Sequence, residues 1–145
     1  MAIEVREPQS QREFDCYYDL RWRILRELWT GQRETAKDEH ERDAHHVIAV
    51  ETGEHIVGIG RLHFNSPEEA QVRYMAVENG YTGRGIGSLV LGALEARARE
   101  RHATRIVLNA RESAIPFYSK HGYERIQNMG TLFDSLVHWR MEKKL

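Results

Sequence analysis

The sequence predicts an α/β fold, on three observations. Short β-branched runs separated by turn residues fill the first half of the chain. A strand, a glycine-rich turn and a segment with helical apolar spacing follow, and two strand-like runs close the chain. At 145 residues the chain is long enough for one independent core, so residues 1–145 read as a single domain.

"IEVREP" alternates apolar and charged residues as a short strand does, and Pro8 ends it. From Gln9 to Leu28, Phe14, Tyr17, Tyr18, Ile24, Leu25 and Leu28 follow helical spacing, with Ser10 as N-cap and Gly31 marking the stop. Cys16 falls inside that apolar pattern and is expected in the core. Thr35 to Ala44 is charged and reads as a surface helix or loop. "HHVIAVE" and "HIVGIGRLHF" flank the turn "TGE" and form a hairpin; "SPEE" then turns the chain into a third strand, "AQVRYMAV". Leu89, Val90, Leu94 and Ala98 predict a helix from Ser88 to about His102. "RIVLNA" reads as a buried strand, "SAIPFYSKHG" as a short helix closed by Gly122, and "YERI" and "LVHWRMEKKL" as closing strands.

Composition narrows the function classes. A formal net charge of −1 offers no whole-molecule case for nucleic acid or an anionic membrane as partner. No apolar run is long enough to span a bilayer, and the N-terminus lacks the apolar stretch of a signal peptide. A single cysteine forms no internal disulfide, and a cytoplasmic location is expected. His40, His45, His46 and Asp43 lie in a polar segment without a second ligand cluster at metal spacing, so no metal is expected.

The chemistry concentrates in "ENGYTGRGIG", residues 78–87, where Gly80, Gly83, Gly85 and Gly87 stand between a strand and a helix. The free N–H groups and dipole of a helix N-terminus attract phosphate oxygens. A P-loop needs Gly-Lys-Ser/Thr, but Gly87 is followed by Ser88 and Leu89. A dinucleotide fold wants G-x-G-x-x-G directly on a strand end near the start of the domain; here five residues separate Val77 from Gly83.

The segment "MAVENGYTGRGIGSLVLGALEARARE" resembles the coenzyme A-binding segment of the GNAT superfamily of N-acetyltransferases. Ala76-Val77, Tyr81, Gly83, Gly85, Ile86 and Gly87 fall in that family's register. Downstream, "ARESAIPFYSKHGY" is similar to its second landmark through Ala114, Phe117, Tyr118, Gly122 and Tyr123. Together the landmarks cover roughly residues 71 to 126. Thr82 stands where the family usually has Arg or Gln, and Asn79 where it often has Pro.

The resemblance implies a mixed, mostly antiparallel central sheet with a splayed strand pair, flanked by helices. It implies acetyl-CoA as co-substrate, an amine acceptor that is a small molecule or a protein, and a homodimer as one assembly option. Thr82, Gly83, Arg84, Gly85, Ile86, Gly87 and Ser88 would hold the pyrophosphate. Met75, Ala76 and Val77 would bond the pantetheine arm and the oxyanion, and Asn109 would make a polar contact to pantetheine or acceptor. Tyr118 would protonate the departing thiolate, a role that suits a phenol because it stays protonated at neutral pH. His63, Glu68, Glu69, His138 or a water remain open as the base. Trp22, Trp29, Trp139 and Tyr74 could line the acceptor cleft. A non-catalytic acyl-CoA sensor is the alternative reading.

Overall fold

The structure is a computed structural model that describes residues 2–25, 37–132 and 136–145. Its elements run β1 (Ile3–Arg6), α1 (Gln11–Leu25), β2 (His45–Glu51), β3 (His55–Phe64), β4 (Glu69–Val77), α2 (Ile86–Glu100), β5 (Arg105–Arg111), α3 (Ile115–Lys120), β6 (Glu124–Leu132) and β7 (Leu136–Lys144). The described strands form one sheet in the order β1-β2-β3-β4-β5-β7-β6. Every neighbouring pair is antiparallel except β4 with β5. This is the expected mixed α/β architecture. The expected Leu28, Trp29 and Gly31 features lie outside the described residues, as does Thr35.

Each face of the sheet has its own core. On one, α2 buries Ile86, Val90, Leu91, Leu94 and Ala98 against Val47, Ala49, Val57, Leu62 and Val72. On the other, Tyr17, Leu20 and Leu25 of α1 meet Ile48, Val50, Ile56, Ile59, Tyr74 and Ala76. Glycines in β3 set the approach of α2. A Cβ on Gly58 would lie 2.6 Å from Ile86 Cγ2, and one on Gly60 would lie 2.7 Å from Val90 Cγ1 and 2.9 Å from Leu94 Cδ1. The "GIG" of β3 is therefore the groove into which the helix packs.

β4 carries the feature that shapes the site. Its register with β3 runs Ile59↔Ala76 and then Arg61↔Arg73, so Tyr74 and Met75 together stand opposite Gly60. This is a β-bulge, which bends a strand and re-aims its side chains. Tyr74 takes the left-handed conformation at φ 59°. The facing reverses accordingly: Val72 belongs to the α2 side, while Tyr74 and Ala76 belong to the α1 side. β4 and β5 pair only at Glu69↔Arg105, Ala70↔Ile106 and Gln71↔Val107, and then part.

Several boundaries differ from expectation. α2 begins at Ile86, two residues early, because Gly85 (φ 81°) is its N-cap, and His102, expected in the helix, lies beyond its end at φ 66°. β6 extends to Leu132, well past "YERI"; Gln127 and Asn128 are exposed on a bulged strand and give no apolar alternation. Residues 37–44 take the loop option of the two expected for that segment. Cys16 is exposed, not core. The buried stripe of α1 is Tyr17, Leu20, Arg21 and Leu25, and Cys16 sits a residue out of phase with it.

Two alanine substitutions test this packing with opposite signs. Gly60→Ala overfills the contact with Val90 and Leu94 and should destabilise by about 1–3 kcal/mol. Gly92→Ala, on the exposed face of α2 with open space around its Cβ, should stabilise by about 0.4–1 kcal/mol. Urea midpoints at unchanged slope read both effects.

Candidate active site

Where β4 and β5 part, a cavity of about 250 Å³ opens between them, lined on β4 by Gln71 to Met75 and on β5 by Leu108 to Arg111. Leu25, Ala114, Tyr118 and His138 complete the described wall. Beyond Gln71 the β5-facing edge of β4 pairs with no strand among the described residues. A sheet edge of this kind offers backbone N–H and C=O groups to an extended ligand. Met75 lines the cavity and Val77 turns its backbone groups to this edge, whereas those of Ala76 face Ile59 of β3, so the three predicted backbone contacts do not share one edge.

The glycine turn leads from that edge to α2. Gly80, Gly83 and Gly85 adopt φ values of 84°, 78° and 81°. Thr82, Gly83, Arg84 and Gly85 are exposed, and no side-chain cap occupies the helix N-terminus at Gly85. The first turn thus presents backbone N–H groups outward at the positive end of the dipole. Ile86 is buried in the core and anchors the helix start. Gly87 lies against Phe117, whose ring carbons would be 3.3 Å from an added Cβ. Ser88 Oγ lies 2.9 Å from His121 Nε2, and the Arg84 guanidinium is 4.9 Å from the centre of the Tyr81 ring. These residues form a bare, preformed cradle that fits a diphosphate.

Tyr118 stands on α3 with its ring packed edge-on against Phe117 and Tyr123. Its side chain is buried, yet it lines the cavity, and among the described residues its hydroxyl has no protein hydrogen-bond partner. Burial pushes its pKa up to about 12, against the opposing charge of Arg111. The phenol therefore keeps its proton across the neutral range. Asn109 is exposed at the cavity rim.

The open question of the base narrows. His63 does not line the cavity, and both ring nitrogens are engaged: Arg61 Nη2–H donates to Nδ1 at 3.0 Å, and Nε2–H donates to Asn65 Oδ1 at 3.1 Å. Burial, then Arg61 and the stacked His40, push its pKa down to about 4. Glu68 is exposed in the turn before β4. Glu69 begins β4 instead of lying in that turn. Burial raises its pKa, but bonds from Asn65 and Arg105 and the charge of Arg140 hold the carboxyl below its ordinary range. Neither glutamate lines the cavity. His138 does. Its Nδ1–H donates to the Leu136 carbonyl at 2.9 Å, which leaves the acceptor lone pair on Nε2.

Sequence reasoning missed a buried ionic cluster beside the cavity. Arg61 grips Asp38 through two nitrogens, at 2.6 and 2.9 Å, and reaches Glu41 at 2.6 Å. Arg21 meets Glu41 at 3.0 Å, and Arg73 meets Asp38 at 2.7 Å. The three guanidinium carbons lie 4.0, 4.9 and 4.6 Å from the centre of the Tyr74 ring for Arg21, Arg61 and Arg73. His46 completes the chain, accepting from Tyr17 and donating to the Glu41 carbonyl. Arg21, Arg61 and Arg73 each stand in a different element, α1, β3 and β4, so only their convergence on the segment at 38–41 reveals this cluster. Of the aromatics expected around the cleft, Tyr74 lines the cavity; Trp22 and Trp139 do not.

Comparison with known proteins agrees with this geometry. A model of the acetyltransferase (GNAT) family matches residues 14–123. The chain is 31% identical over 106 residues to the uncharacterized N-acetyltransferase YjcF of Bacillus subtilis, covering 73% of this chain and 74% of that one. Its fold is similar to that of a GNAT-family acetyltransferase from Staphylococcus aureus, with a TM-score of 0.80, 20% identity and 99% coverage of both chains. It is also similar to the PaiA N-acetyltransferase of Thermoplasma acidophilum solved with coenzyme A, with a TM-score of 0.79, 17% identity and full coverage of both.

Stability should fall in acid partly through His63. Its pKa is depressed on folding, so its neutral form favours the native state above pH 6.5, and that contribution is lost as pH falls from 6.5 to about 4. Asp38 and Glu41, also held below their ordinary values, extend the loss at lower pH. His63→Gln should flatten the urea-midpoint profile between pH 6.5 and 4 while leaving the steeper fall below it.

Proposed function

The chain belongs to the GNAT family of acetyltransferases, and on that basis we propose that it transfers an acetyl group from acetyl-CoA to a primary amine held in the β4–β5 cavity. The observation that carries the reading is the early end of β4–β5 pairing, which leaves a cavity lined by an open strand edge, a buried tyrosine and a histidine ring. Acetyl-CoA would supply a thioester carbonyl and a thiol leaving group.

The chain's own groups divide the work. N–H groups of the glycine turn and first turn of α2 bind phosphate oxygens, with Thr82 and Arg84 beside them. The open edge at Met75 and Val77 positions the pantetheine amides and donates to the carbonyl oxygen as negative charge builds there. His138 Nε2 takes a proton from the acceptor ammonium, so that a neutral amine attacks. As the C–N bond forms and the C–S bond breaks, Tyr118 gives its proton to the departing sulfur; the new amide nitrogen sheds its second proton to solvent, from which Tyr118 is reprotonated, and the proton on His138 leaves to bulk water. The charge of Arg111, felt at Tyr118, eases that release.

Tyr118→Phe keeps the ring and removes only the proton donor. The turnover of acetyl-CoA-loaded protein, followed in a single turnover, should fall about 10²- to 10⁴-fold. Coenzyme A affinity, read by calorimetry, should stay within about tenfold, the scale of one lost neutral hydrogen bond. Near-parental transfer would remove Tyr118 from the chemistry. Tight coenzyme A binding without transfer to any amine would favour an acyl-CoA sensor.

A further inference from the structure

Charge in the cavity wall carries information about the acceptor. The described lining includes Arg73, Arg111 and His138, with Gln71 and Asn109 as neutral polar groups, and no carboxylate. Among the described residues such a wall offers no carboxylate to pair the extra positive charges of a polycationic acceptor.

Arg73 is built to receive an anion. Asp38 binds it only through Nη1, at 2.7 Å, and the same carboxylate is already gripped by both terminal nitrogens of Arg61. Among the described residues of the cluster, two carboxylates, Asp38 and Glu41, face the three guanidiniums of Arg21, Arg61 and Arg73. The three arginines differ in their exposure. The side chains of Arg21 and Arg61 are 0% exposed, whereas that of Arg73 is 38% exposed and lines the cavity. The Asp38 bond and the Tyr74 ring, 4.6 Å away, fix the orientation of the guanidinium in advance. Little ordering entropy is then lost when its remaining N–H donors meet a ligand. Along β4, Arg73 precedes Met75 by two residues, across the bulge. That spacing suits a small molecule whose amine and anionic group lie a few bonds apart.

We propose that the acceptor is a small amine bearing a carboxylate or phosphate, with Arg73 as the residue that binds this group. The inference rests on the reading that acetyl transfer occurs in the β4–β5 cavity. Arg73 acts on specificity and not on the chemical step.

The test compares matched ligands on protein saturated with coenzyme A, by calorimetry and, with acetyl-CoA instead, by transfer. L-amino acids are set against their amides and O-phosphoethanolamine against ethanolamine, with spermidine as the polycation. At least one anionic member should bind roughly 10- to 100-fold more tightly than its neutral twin, and the arm in which this occurs separates carboxylate from phosphate. Arg73→Gln should abolish that difference, and Arg73→Lys should restore part of it, because a point charge replaces a planar fork. Neutral members binding as tightly as every anionic twin, or spermidine binding best, would overturn the proposal. Transfer to neutral amines without anion preference would overturn it and leave the transferase standing. Anion-dependent binding without any transfer would support it and count against the transferase.

Discussion

The bulge at Tyr74–Met75 is the constraint on which the rest of the structure depends. Two residues of β4 against one Gly60 reverse which face each later side chain occupies and accompany the parting of β4 from β5. A left-handed tyrosine is unfavourable by about 1–2 kcal/mol. Its ring, buried among three guanidiniums, offsets that strain through packing and cation–π attraction. Gly60 serves both sides of the arrangement: it stands opposite the bulge, and its missing side chain admits Val90 and Leu94 of α2.

The two faces of the sheet solve different problems. The α2 face is almost wholly apolar and holds the helix whose N-terminus forms the glycine cradle. The α1 face buries Arg21 and Arg61 completely, and Asp38 and Glu41 form ion pairs with them from a turn segment. Buried ion pairs add little net stability, but removing one partner leaves an uncompensated charge and is strongly destabilising. The cluster therefore fixes residues 38–41 to β3 and β4, and with them the orientation of Arg73 at the cavity. Rigidity on the α1 face and a bare backbone on the α2 face meet at the same strand end.

Much of this was legible in the sequence, for local reasons. The glycine turn, the strand before it and the helix after it are set by φ preferences and periodicity, and Met75 of the first segment and Ala114 and Tyr118 of the second line the cavity. Tyr118 was singled out only by the resemblance of its segment to the family's second landmark, and it lines the cavity. The bulge was not legible, since nothing local marks Tyr74 for positive φ; its cause is tertiary, in Gly60 and the arginine cluster. The base stayed open for a related reason. Histidine tautomers are decided by which neighbours the strand geometry brings onto the ring, and sequence adjacency does not say which: Arg61 and Asn65 meet His63, and the Leu136 carbonyl meets His138, each two residues away. Cys16 was misplaced by a shift of one residue, which on a helix rotates a side chain by about 100°.

The account makes one strand edge and one helix N-terminus a single ligand-binding surface. Amide hydrogen exchange with and without coenzyme A reads that surface directly. Slowed exchange should concentrate in the β4 amides of Met75 and Val77 and in those from Gly83 to Ser88. Coenzyme A binding that leaves both stretches unchanged, or that protects a surface away from the β4–β5 parting, would contradict it.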